Sequence, residues 1–112
     1  MSVRRSYTAV VERNVLWDRD FATEPYEAAW ASEAIFFVRA LEVSPEFSGI
    51  ARVQISADGI HWVDEGTTFE LPWEVNAVTF GRVRHFGGWL RIVGGVQSRR
   101  EIRALVSLAL KE

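Results

Sequence analysis

The chain has 112 residues, 48% hydrophobic and 25% charged, which is the make-up of a folded domain and excludes a disordered segment. Cysteine is absent, which excludes disulfides, thiolate metal centres and cysteine nucleophiles. With 13 basic and 15 acidic side chains the net charge is −2, so nucleic-acid binding is not expected, and no apolar run is long enough for membrane insertion.

The length suits one domain over residues 1–112, without internal repeats or low-complexity stretches. Its opening residues Met-Ser-Val-Arg-Arg have no apolar run behind them, so no signal peptide is expected. Beyond that the cellular address is not legible.

In chain order, residues 5–12 (RSYTAVVE) are β-prone at Tyr7, Thr8, Val10 and Val11 and predict a first strand. Residues 14–29 show no single period and predict a long structured loop whose aromatic side chains plug the end of the core. Thr23 and Pro25 also permit a helical turn over 24–32. Residues 34–43 (AIFFVRALEV) are apolar on both faces: Ile35, Phe37, Leu41 and Val43 on one, Phe36, Val38 and Ala40 on the other. A strand of this kind is either covered on both sides or lies at an interface.

Residues 50–55 alternate cleanly, Ser56-Ala57-Asp58-Gly59 turns, and residues 60–63 return. Further strands are expected over 67–71, 73–80, 89–93 and 101–110, with Gly87-Gly88 and Gly94-Gly95 as punctuation around the third of these. The last run, IRALVSLAL, also suits a helix, but its Ile and Val content favours a strand. About eight strands imply an all-β, antiparallel two-sheet β-sandwich of jelly-roll type.

The hairpin Ser56–Trp62 (Ser-x-Asp-Gly-x-x-Trp) resembles that of discoidin-like, galactose-binding-like β-sandwich modules, and similar hairpins occur in phage and bacterial surface proteins. The strand Trp89–Val93 is similar to one that often follows it in such modules. The resemblance implies a jelly-roll sandwich and transfers no ligand residue.

Chemistry has few candidates. His61 and His85 are the only imidazoles, no His-x-His is present, and a metal site would need both to meet Asp64 or Glu65. The carboxylate pairs Asp18/Asp20 and Asp64/Glu65 suit solvated turns better than a glycosidase cleft, and no Gly-x-Ser-x-Gly elbow exists. The expectation is therefore a non-enzyme without cofactor or metal.

Five Trp are many for this length. Most should fill the core, but Trp17, Trp30 and Trp73 are candidates for stacking on sugar rings. Charge is also polarised along the chain. Arg82, Arg84, Arg99, Arg100 and Arg103 form a late basic group, and Asp18, Asp20, Glu24 and Glu27 an early acidic one. These groups are expected to meet between neighbouring copies, giving a homo-oligomer or larger protein assembly. The expected role is a structural or assembly module of a phage or bacterial particle; the alternative is a carbohydrate-binding module.

Overall fold

Period-two alternation over long β-prone runs produces two antiparallel sheets in the computed structural model, which describes residues 5–112. The expected absence of a leader rests partly on residues 1–4, which lie outside the described residues. The strands are β1 (Ser6–Trp17), β2 (Phe21–Ala22), β3 (Tyr26–Glu27), β4 (Glu33–Val43), β5 (Gly49–Ser56), β6 (Val63–Glu70), β7 (Val78–Arg84), β8 (Trp89–Val96) and β9 (Ile102–Lys111). Sheet A has the order β1-β9-β4-β7, and sheet B the order β2-β8-β5-β6 with β3 also on β8. With β2 and β3 taken as one interrupted strand, this is the two-sheet order of an eight-stranded jelly roll. The expected all-β sandwich is the fold observed.

β9 explains why the sheets stay together. Ile102, Ala104, Val106, Leu108 and Leu110 occupy every second position and are fully buried. On β4 the same holds for Phe36, Val38 and Ala40, and sheet B answers with Ala51, Val53, Leu90 and Ile92. Burying a large apolar side chain contributes roughly 1.5–3 kcal/mol, so these inner faces dominate the stability of the fold. The alternation also decides against a helix for the last run.

Local boundaries differ from the sequence reading for identifiable reasons. β1 continues to Trp17 through register shifts between Val10 and Glu12 and between Glu12 and Val15. Those bulges hide the period that would have revealed residues 14–17 as strand. The expected loop does follow, but β2 and β3 tie it to β8. Buried Thr23 reinforces the tie: its Oγ1 accepts from the Ile92 N–H (3.0 Å) and its own N–H donates to the Ile92 carbonyl (3.0 Å). No helical turn forms at 24–32, only a turn closed by the Ala31 N–H on the Ala28 carbonyl.

Two more expectations are corrected. The strand expected at 73–80 is a turn up to Ala77, with Asn76 at φ 69°, and β7 begins only at Val78. Gly94-Gly95 is not a turn but lies inside β8. A Cβ on Gly94 would collide with the Ile50 carbonyl of β5 and with the Phe21 ring, so this glycine permits close approach within sheet B. On β4, a register shift between Ala40 and Glu42 moves Val43 from the outer face to the core.

The hairpin is held as the sequence implies, though its loop runs to Trp62 before β6 starts at Val63. Gly59 has φ 80°, and an added Cβ there would lie 3.1 Å from the Trp89 indole. Trp89 on β8 therefore covers the turn. Gly59→Ala is expected to lower stability by about 1 kcal/mol or more through backbone strain and crowding. Thermal denaturation measures it, and an unchanged melting temperature would contradict this account.

Candidate functional site

An antiparallel sheet on a sandwich normally turns a polar face to water. The outer face of sheet A departs from that rule. Across β1, β9, β4 and β7 its rows read Thr8–Ala109–Ile35–Arg82, then Val10–Ser107–Phe37–Phe80, with Leu105–Arg39–Val78 beyond. Val10, Val78 and Phe80 are 46%, 51% and 46% exposed, and Ile35, Phe37 and Leu105 are half-buried. The Phe37 and Phe80 rings lie 6.2 Å apart at the centre of this patch. A doubly apolar β4 thus has its inner side in the core and its outer side uncovered.

The patch is bordered by charge. One end row is Ser6–Lys111–Glu33–Arg84, and a shallow groove of about 230 Å³ there is lined by Ile35, Ala109, Glu33, Arg82, Arg84 and Lys111. The Arg82 guanidinium lies 4.9 Å from the Phe80 ring centre. Among the described residues Arg84 and Lys111 have no ion-pair partner.

The five arginines of the late basic group do not converge. Arg82 and Arg84 flank the groove, whereas Arg103 is the second residue of β9, eight residues from Lys111, or about 27 Å along a strand. Arg99 and Arg100 lie in the β8–β9 turn at that far end. Arg100 is 3.5 Å from Glu46, and Arg103 is 3.5 Å from Glu42 and within reach of the Asn14 side-chain oxygen. Lys111 takes their place beside Arg82 and Arg84. Its signal in the sequence was the shared outward parity of 33, 35, 82, 84, 109 and 111, visible only once register is known.

The acidic group is strung along one margin of the sandwich instead of gathering at a point. β1 and the β2–β3 segment meet on one margin of the sandwich, where the Glu24 N–H donates to the Glu12 carboxylate (3.2 Å). Glu27 pairs along β3 with Trp89, and Asp20 reaches over Gly95 at the other end of β8. Asp18 is bound to Arg19 at 3.0 Å, which lowers its pKa.

The aromatic candidates separate. Trp17 is 4% exposed and stacked on Phe21 at 3.8 Å, so it is a core residue and not a sugar platform. Trp30 is half-buried with the Arg5 guanidinium 4.8 Å from its ring centre. Only Trp73, 55% exposed on the β6–β7 turn, stands free between two shallow grooves.

The titratable candidates serve the turns. Asp58 Oδ1 accepts from the N–H groups of Ile60 and His61 (2.8 Å each) and from Ser56 Oγ, while Oδ2 meets His61 Nδ1 at 2.7 Å. The His61 N–H, the His61 ring and the other donors hold the Asp58 carboxyl well below the usual range. Asp64 is engaged by Gln54 at 2.9 Å and Arg52 at 3.2 Å, which lowers its pKa too. Glu65 accepts from the Thr67 N–H within the β6 strand, and His85 sits at φ 56° just after β7. Among the described residues no three potential metal ligands cluster.

A carboxyl depressed by folding contributes stability above its unfolded pKa, about 3.9, and that contribution fades as pH falls toward the folded value. Asp58→Asn is therefore expected to lower the melting temperature at pH 7 and to leave it less changed at pH 3. Melting curves at the two pH values check this, and equal losses at both would contradict it.

No protein-family model matches the chain, and no curated protein matches it in sequence. Its architecture is similar to that of the SPBc2 prophage-derived protein YomS, with a TM-score of 0.64 and 7% identity over 100% of this chain and 97% of that one, a likeness of fold.

Proposed function

We propose that the chain is a non-enzymatic structural module that associates with copies of itself or decorates a larger phage-type particle. One observation carries the reading: the outer face of sheet A presents contiguous apolar side chains around Phe37 and Phe80, with charge at its border. An apolar centre with a charged rim is the usual anatomy of a protein contact, whereas scattered exposed apolar residues are not. The prophage-derived protein with a similar fold supports a phage setting.

Light scattering coupled to size-exclusion chromatography, across concentration and salt, tests the reading. The expected result is an oligomer that weakens at high salt. A strict monomer that also fails to bind a particle would overturn it.

A second reading, a carbohydrate-binding module of discoidin-like kind, draws on the Ser56–Trp62 hairpin and on Trp73, which stands between grooves beside Ile50 and Glu70. Tryptophan fluorescence titrated with oligosaccharides should change only under this second reading.

A further inference from the structure

We propose that copies of this chain meet head to tail, the Arg82/Arg84/Lys111 groove of one taking the acidic β2–β3 margin of the next. The inference deepens the self-association reading above and rests on it.

The groove presents three cations around Ile35 and Ala109, and none of the three has an ion-pair partner among the described residues. Glu33, which stands in register between Arg84 and Lys111, offsets only one of them and is itself unpaired among the described residues. Over residues 12–27 the five acids Glu12, Asp18, Asp20, Glu24 and Glu27 outnumber the two cations Arg13 and Arg19. Of these acids, Asp20, Glu24 and Glu27 have no ion-pair partner among the described residues. Arginine and lysine near an apolar floor suit carboxylates delivered by a second polypeptide.

Within one copy no ion pair joins Arg82, Arg84 or Lys111 to the acids of that margin among the described residues. β7 is one edge of sheet A and abuts β6, with Thr67 Oγ1 donating to the Arg82 carbonyl at 3.1 Å. The acidic margin is where β1 meets β2 and β3, on the other side of the sandwich. Within sheet A three inter-strand spacings, about 14 Å, separate β1 from β7, which carries Arg82 and Arg84, while Lys111 on β9 lies one spacing from β1. A two-fold dimer centred on either surface sets like charge against like. A heterologous contact sets unlike charges together at every step, and repeats into a ring or an open array.

Charge exchange tests this. One variant carries Arg84→Glu and Lys111→Glu; the other carries Glu24→Arg and Glu27→Arg. All four side chains are exposed, and far-UV circular dichroism with melting curves verifies that each variant folds. Should either fail to fold, the neutral pairs Arg84→Gln/Lys111→Gln and Glu24→Gln/Glu27→Gln replace it. Each variant alone is expected to associate at least about tenfold more weakly than wild type. An equimolar mixture of the two exchanged variants is expected to associate again, because the intact acids of one meet the intact cations of the other.

Wild-type association left unchanged by both variants, or a mixture that does not recover, would overturn the head-to-tail contact while leaving self-association standing. A wild type that stays monomeric at low salt would overturn both.

Discussion

Phe37→Ala and Phe80→Ala are each expected to raise the dissociation constant of self-association by about 30-fold or more while the monomer stays folded. The two rings are neighbours at the centre of the uncovered face of sheet A. Central aromatic side chains at a contact typically contribute about 2 kcal/mol or more each on truncation, and about 1.4 kcal/mol is tenfold in affinity. Neither ring belongs to the inner core, whose β4 members are Ala34, Phe36, Val38 and Ala40. The monomer should therefore lose much less than a core truncation would cost. Sedimentation velocity measures the association and circular dichroism the fold. Association that survives both truncations would place the contact on another surface.

Gly94→Ala is expected to destabilise the monomer by about 3 kcal/mol or more, the upper range for a substitution that overfills a packed site. The added methyl would enter the space of the Ile50 carbonyl on β5 and lie 2.9 Å from the Phe21 ring on β2. Backbone cannot yield there without breaking the β5–β8 pairing that centres sheet B. Gly95→Ala is the control, because its methyl would meet the mobile carboxylate of Asp20 at 3.0 Å. It should cost less than about 1 kcal/mol, as surface-facing changes usually do. Chemical denaturation of the pair measures the difference, and equal losses would show that close approach is not what Gly94 provides.

The sandwich was legible because its central strands obey simple alternation. In β5 and β9 the buried apolar residues fall at every second place, and both strands are central and paired on each side. The meaning of β4 was also legible: no single covered face accounts for Ile35 and Phe37 together with Phe36 and Val38. Bulges defeated the reading elsewhere. In β1 two register shifts scramble the period, and in β4 one shift reassigns Val43. Gly94 looked like a turn because close strand approach and turn formation call for the same residue.

The candidate site was half legible, and for a related reason. Arg82, Arg84, Asp20, Glu24 and Glu27 could be chosen from charge alone, but the far arginines could not be told from them. Register places Arg103 beside Glu42 and Lys111 beside Glu33, and register is a property of pairing that a single linear pattern does not contain. Trp17 was misjudged because nothing local distinguishes a ring stacked on Phe21 inside the core from one standing in solvent like Trp73.

The two interruptions in β1 also govern how neighbours can join. This outermost strand of sheet A, twelve residues long, would otherwise offer free amide and carbonyl groups at every second residue, a template on which further chains could zip into fibrils. Irregular spacing spoils that template, so backbone-to-backbone growth is discouraged. In the proposed assembly cohesion would then rest on side chains, whose grip ionic conditions can loosen, and any lattice built this way should come apart without unfolding its members.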